Sequence, residues 1–224
     1  MHFQDNAPRA CCVYLLVRSL ALILGVALST LAADSPSHEM LKQVERRYNR
    51  AQTLEVQFAE NYTGPGRPSR TEAGTLYLRK PGRMRWEYST PAGKLFISDG
   101  KSVYLYLPNS NRVEKMRLKE TEDMRAPLAF LLGKLDFAKE FQNIETRPDP
   151  GGTMITAEAK SGNLPYSKVE FLVAATFEIR KLRVIGQDQS ILDFTFESEK
   201  LNPPLANTMF QFKPPAGAEV IEGG

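Results

Sequence analysis

The sequence predicts a mainly β protein with few helices, built as one large antiparallel sheet or barrel. Three observations carry this expectation. Apolar and polar residues alternate with period two in about ten short segments. Proline, glycine and asparagine separate those segments at short spacing. Only one long stretch, just after an N-terminal apolar run, repeats its apolar residues at helical spacing.

The N-terminus predicts export. Arg9 and Arg18 precede Leu20-Ala-Leu-Ile-Leu-Gly-Val-Ala-Leu28, and Ser29-Thr-Leu-Ala-Ala33 follows. A charged head, an apolar middle and small closing residues form a secretory signal. Residues 1–33 are thus read as a leader cleaved after Ala32 or Ala33, and residues 34–224 as one domain in the periplasm. Both cysteines, Cys11 and Cys12, fall within the leader, so no disulfide is expected afterwards. Neither stands after the apolar run, where a lipidated cysteine would be. A net charge of +3 is too mild to suggest nucleic acid.

The elements follow in order. Ser35-Pro36 suits a helix start, and Leu41, Val44, Tyr48 and Ala51 then mark one amphipathic helix. Leu54, Val56 and Phe58 alternate with Glu55 and Gln57 as a half-buried strand. Gly64–Ser69 reads as a turn or loop. Gly74–Lys80 is the next strand, broken by Pro81-Gly82. In Arg83–Tyr88, Met84, Trp86 and Tyr88 share one face. Asp99-Gly100 joins Leu95–Ser98 to Ser102–Leu107 as a hairpin, and Asn109–Asn111 turns the chain into Arg112–Lys119. Ala126–Gly133 breaks the rhythm as a short helix, apolar on all sides. Strands resume after Phe141, with Thr153–Ala159, Lys168–Val173, Glu178–Ile185 and Ser190–Glu199. Met209–Phe212 is read as a last short strand before Pro214-Pro215.

Chemistry-bearing motifs are scarce. The chain has two histidines, His2 and His38, and the first leaves with the leader. One histidine supports neither a zinc site nor a serine triad. Phosphate loops, paired cysteines and calcium loops are lacking. Asp99 opens a hairpin and is read as a turn residue. Trp86, Tyr88, Tyr104 and Tyr106 are expected to line an interior, as core or cavity. Catalysis, metals and cofactors are therefore not expected.

Several segments, taken in order, resemble the outer-membrane lipoprotein carrier family, the LolA-type proteins. They are Phe58, Gly74-x-Leu-x-Leu-Arg-Lys-Pro81, Arg85-Trp86-x-Tyr88, Ile97-Ser-Asp-Gly-Lys101 with Tyr104 and Tyr106, Pro127-x-x-x-Leu131-Leu-Gly133, and Phe210-x-Phe-x-Pro-Pro-x-Gly217 with Val220-Ile221. The resemblance implies an incompletely closed antiparallel β-barrel of about ten to eleven strands, with helices forming a lid over a hydrophobic cavity. It implies a monomeric periplasmic carrier of acylated lipoproteins. Such a carrier takes cargo from an inner-membrane ABC transporter and delivers it to an outer-membrane receptor.

On that resemblance the acyl-binding cavity is expected to use Phe58, Leu76, Leu78, Met84, Trp86, Tyr88, Ile97, Leu128, Leu131 and Leu132. The family places an arginine before the proline of the Arg-Pro motif, where it bonds lid carbonyls. This chain has Lys80 there, sharing a face with Leu76 and Leu78, while Arg79 faces outward by the period of two. Lys80 is the expected latch; lysine keeps the charge but lacks the planar fork. The alternatives are a small-molecule-binding enzyme or a lipid-sensing regulatory domain on the same fold.

Overall fold

Helix α1, Pro36–Arg50, places Leu41, Val44 and Tyr48 on one buried stripe. Glu39 in its first turn and Arg47 and Arg50 in its last complement the helix dipole. The computed structural model describes residues 36–118, 135–162 and 164–223. The expected leader, 1–33, and the expected lid helix, 127–133, with Leu128, Leu131 and Leu132, lie outside them.

Among the described residues twelve strands follow the helix: β1 Thr53–Gly64, β2 Arg67–Arg79, β3 Arg83–Thr90, β4 Leu95–Asp99, β5 Ser102–Leu107, β6 Arg112–Arg117, β7 Phe141–Asp149, β8 Gly152–Ala159, β9 Tyr166–Val173, β10 Ile179–Gly186, β11 Ile191–Leu201 and β12 Glu219–Glu222. The four-residue helix α2, Phe137–Glu140, runs directly into β7. One sheet holds all twelve strands in the order β12-β6-β5-β4-β3-β2-β1-β11-β10-β9-β8-β7. Its end strands, β12 and β7, are not bonded to each other, so the barrel stays unclosed.

Alternation gives the sheet one apolar face. Leu54, Val56 and Phe58 of β1, Leu76 and Leu78 of β2, and Met84, Trp86 and Tyr88 of β3 join a single buried cluster. Phe194 and Phe196 of β11, Leu182 and Val184 of β10, Phe171 of β9 and Ile155 of β8 belong to it as well. Residues from strands so far apart in the sheet reach one cluster because the sheet curls around it. The α1 stripe enters the same cluster, as does Phe137 of α2.

The structure corrects four readings. The described residues form twelve strands rather than ten or eleven. The sheet is not wholly antiparallel, since β12 pairs parallel to β6; four residues returning from far along the chain give no local alternation to read. A further strand, β7, precedes the one expected at Thr153; it is an edge strand with both faces largely polar and Pro148 near its end. Edge strands lack a buried face and so lack a period. Met209–Phe212 is not a strand: residues Asn207–Phe210 form a 3₁₀ turn lying against β3 and β4. The backbone around this turn is held by side chains of the sheet rather than by a ladder. Arg79 donates to the Leu205 carbonyl and Arg85 Nη1 donates to the Met209 carbonyl at 3.1 Å.

Candidate lipid-binding wall

Phe58, Leu76, Leu78, Met84, Trp86 and Tyr88 stand together on the inner face of β1–β3. Cross-strand pairing sets them side by side: Leu54 with Leu78, Val56 with Leu76, Leu76 with Trp86, and Leu78 with Met84. Trp86, fully buried, is the centre of the set. Phe58 meets its ring edge-on at 4.7 Å, and Tyr88 stacks at 6.4 Å with an angle of 21°. Phe194 of β11 approaches Trp86 at 6.0 Å and stacks on Phe196 at 5.9 Å. The indole N–H donates to the Met84 sulfur at 3.4 Å, which leaves the surrounding wall apolar.

Gly74 explains how the rings meet. It lies between Phe58 and Tyr88 in register, and its missing side chain lets those rings touch edge-on at 5.3 Å. A Cβ there would also fall 2.0 Å from the Glu87 carbonyl oxygen. Only glycine permits strands β2 and β3 to approach this closely.

Ile97 departs from the expected wall. It pairs with Arg85 and Tyr104, whereas its neighbour Phe96 pairs with Trp86. Period two therefore sends Phe96 inward and Ile97 to the outer face, where it is nevertheless fully buried. Tyr104 and Tyr106 are also outward, not interior: Phe212 stacks on Tyr104 at 5.3 Å and tilts over Tyr106 at 6.4 Å. The segment after β11 covers this patch and buries side chains that a single-layer reading assigns to the core.

Lys80 sits at the α1 end of the wall. Its ammonium donates to the Tyr48 carbonyl at 2.7 Å, in the last turn of α1, where carbonyls lack helical partners. Its backbone N–H donates to Gln52 O at 2.9 Å. Burial lowers the Lys80 pKa below the ordinary lysine value. Around it the same helix turn is pinned by polar contacts. The Tyr48 hydroxyl donates to Glu199 at 2.7 Å and accepts from the Ile179 N–H at 2.8 Å, and Arg47 pairs with Glu199 at 2.5 Å.

At the other end the wall becomes charged. Glu72, on the inner side of β2, and Lys94, immediately before β4, form an ion pair at 2.5 and 2.6 Å with both residues buried. The Lys94 ammonium lies 4.2 Å over the Tyr88 ring. Glu60 stands directly across from Glu72 and is buried too. Sequence reasoning missed this cluster, although the period running through 72, 74, 76 and 78 places Glu72 on the inner face. No local signal brings Lys94 to it.

An open cavity of about 650 Å³ lies on the opposite, outward face, between Gln57, Ala59, Thr75, Glu87, Thr195 and Glu197. Its rim is polar and carries two carboxylates, so it does not suit an acyl chain. Among the described residues, no group of three His, Cys, Asp or Glu side chains could hold a metal ion, and no helix is long and apolar enough to cross a membrane.

Residues 49–213 match the family model described as outer membrane lipoprotein carrier protein LolA. The chain belongs to this family. A relative named outer-membrane lipoprotein carrier protein from Azotobacter vinelandii is 30% identical over 204 residues, covering 89% of this chain and 94% of its own length. Another of that name, from Dechloromonas aromatica, is 26% identical over 82% of this chain and 85% of its own. Among solved structures, an uncharacterized conserved protein from Thermus thermophilus aligns with a TM-score of 0.51 at 13% identity. It covers 84% of this chain and 99% of the other, a likeness of fold alone.

Proposed function

We propose that this protein is a lipoprotein carrier that shields acyl chains along the inner wall Phe58, Leu76, Leu78, Met84, Trp86 and Tyr88. The observation that carries the reading is the continuous apolar inner face of an unclosed sheet, centred on Trp86 and capped by a helix rather than by a second sheet. Each buried methylene contributes ~0.8 kcal/mol, so one long acyl chain hides roughly 10 kcal/mol of exposure to water. A curved sheet with one apolar face supplies such a shelter without covalent chemistry. On sequence grounds Leu128, Leu131 and Leu132 belong to the same lining.

Lys80 is the proposed latch, acting on the α1 carbonyl of Tyr48. A cation on those carbonyls holds the empty carrier closed, and cargo must displace it. Transport would begin at an inner-membrane ABC transporter, cross the periplasm with the protein as a monomer, and end at an outer-membrane receptor. Residues 1–33 are the proposed export signal. The enzymatic and sensory alternatives draw no support from the family match.

Trp86 is the single tryptophan of the chain, which makes the reading directly testable. A diacylated lipopeptide brominated along its chains should quench the Trp86 emission on binding, and the unbrominated lipopeptide should reverse the quenching by competition. Saturable binding without quenching would place the acyl chains elsewhere and overturn this assignment of the wall.

A further inference from the structure

We propose that the buried Glu72–Lys94 pair is a stop that sets how much acyl chain the inner wall accepts. The inference rests on the carrier reading and concerns its selectivity. From Lys80, just past the end of β2, the inward positions run back along the strand through Leu78, Leu76, Gly74 and Glu72. The apolar part, from Leu78 to Gly74, extends ~13 Å at the rise of a strand. That is close to the ~15 Å that one leaflet's hydrocarbon occupies. Beyond Gly74 the wall changes character within one row. Phe58, Gly74 and Tyr88 lie side by side, and the next row holds Glu60 facing Glu72, with the Lys94 ammonium over the Tyr88 ring.

The physical asymmetry is steep. A methylene that passes Leu76 or Trp86 leaves water for an apolar surface. One that passes Tyr88 meets an ion pair whose partners, Lys94 and Glu72, are 5% and 6% exposed and already bonded to each other. Advancing further requires parting them, and a buried charge without its partner outweighs what several methylenes contribute. Arg70, 3.8 Å from Glu72 and 4.5 Å over the Tyr62 ring, backs the pair from the far side. The pair thus ends the apolar wall at a polar boundary, with Tyr88 as the last apolar contact.

The test compares binding of synthetic diacylated lipopeptides of graded chain length, read by displacement of a hydrophobic fluorophore. The wild-type protein should gain about fourfold in affinity per added methylene, equivalent to ~0.8 kcal/mol, and then reach a plateau. Replacing both partners with apolar residues, Glu72→Leu with Lys94→Met, is tolerated in principle because neither charge is left alone. In that variant, alone or with Glu60→Gln, the plateau should move to longer chains. A plateau at the wild-type length in both variants overturns the stop. A measurement on the unaltered protein guards against misfolding of the variants. A lipopeptide of plateau length carrying a photoreactive terminal methyl should crosslink to Tyr88 or Lys94, and crosslinks confined to the α1 end overturn the stop. Failure of the wild-type protein to bind lipopeptide at any length overturns the carrier reading itself, and this inference with it.

Discussion

Asn49 and Leu135 exchange two hydrogen bonds: Asn49 Nδ2 donates to the Leu135 carbonyl at 2.8 Å, and Asn49 Oδ1 accepts from the Leu135 N–H at 2.7 Å. One turn earlier on α1, Glu45 accepts from the Phe137 N–H at 2.8 Å. Helix α1 thereby serves as the partner strand that the backbone of residues 135–137 lacks. Asn49→Ala would leave both main-chain groups of a residue only 1% exposed without these partners. The expected loss is ~1–3 kcal/mol, measured as a lower denaturant midpoint at unchanged m-value. Wild-type stability in this variant would show that water replaces the amide fully.

Lys80→Leu should free the last turn of α1. Amide exchange in residues 46–50 should rise, while lipopeptide uptake is retained and release to an acceptor slows, because the apolar wall is extended at the latch. Lys80→Arg should restore both exchange protection and release, since guanidinium also bonds carbonyls. A two-step assay scoring loading and release separately decides it; normal release by the leucine variant would remove Lys80 from the latch role.

Gly74→Ala should destabilise the sheet by ~1–3 kcal/mol, the usual cost of forcing atoms into a filled site. The Glu87 carbonyl, not a movable side chain, is what the new methyl meets. Thermal unfolding followed by circular dichroism tests this, with Thr75→Ala as the neighbouring control expected to cost less.

Phe210→Ala should cost ~3–5 kcal/mol, although it lies outside every strand, because the residue is 1% exposed where the segment after β11 packs on the sheet. Urea unfolding would check it. A loss under ~1 kcal/mol would show that this segment merely rests on the sheet.

Alkali should unfold the protein through its buried tyrosines. Burial raises Tyr166 to about 12, with Glu140 adding to the effect, and burial followed by Glu199 raises Tyr48 further still. Both are acids whose folded pKa exceeds the unfolded value of ~10. The fold therefore keeps protons that the unfolded chain releases. Their contribution is fully present below pH ~10 and is lost as pH rises towards the folded values. Tyr166→Phe should flatten the decline of stability with pH in that window, measured by urea unfolding at a series of alkaline pH values.

Local patterns in the chain suffice for helix α1, the strands β1–β6 and β8–β11, and the inner face of β1–β3. A residue's side is fixed by the period of its own segment, so Leu76, Leu78, Met84 and Trp86 can be assigned without knowing their partners. Asp99 likewise announces its hairpin, and its carboxylate accepts the Lys101 and Ser102 N–H groups at 2.8 Å. What covers each face depends instead on tertiary contacts. Ile97, Tyr104 and Phe210 are apolar or aromatic like the inner wall, yet they belong to the outer face because the segment after β11 folds back over it. The parallel pairing of β12, the contact of Lys80 with Tyr48, and the meeting of Glu72 with Lys94 are equally silent in sequence. They join residues whose local patterns are independent of each other, and only the curl of the sheet brings those residues within reach.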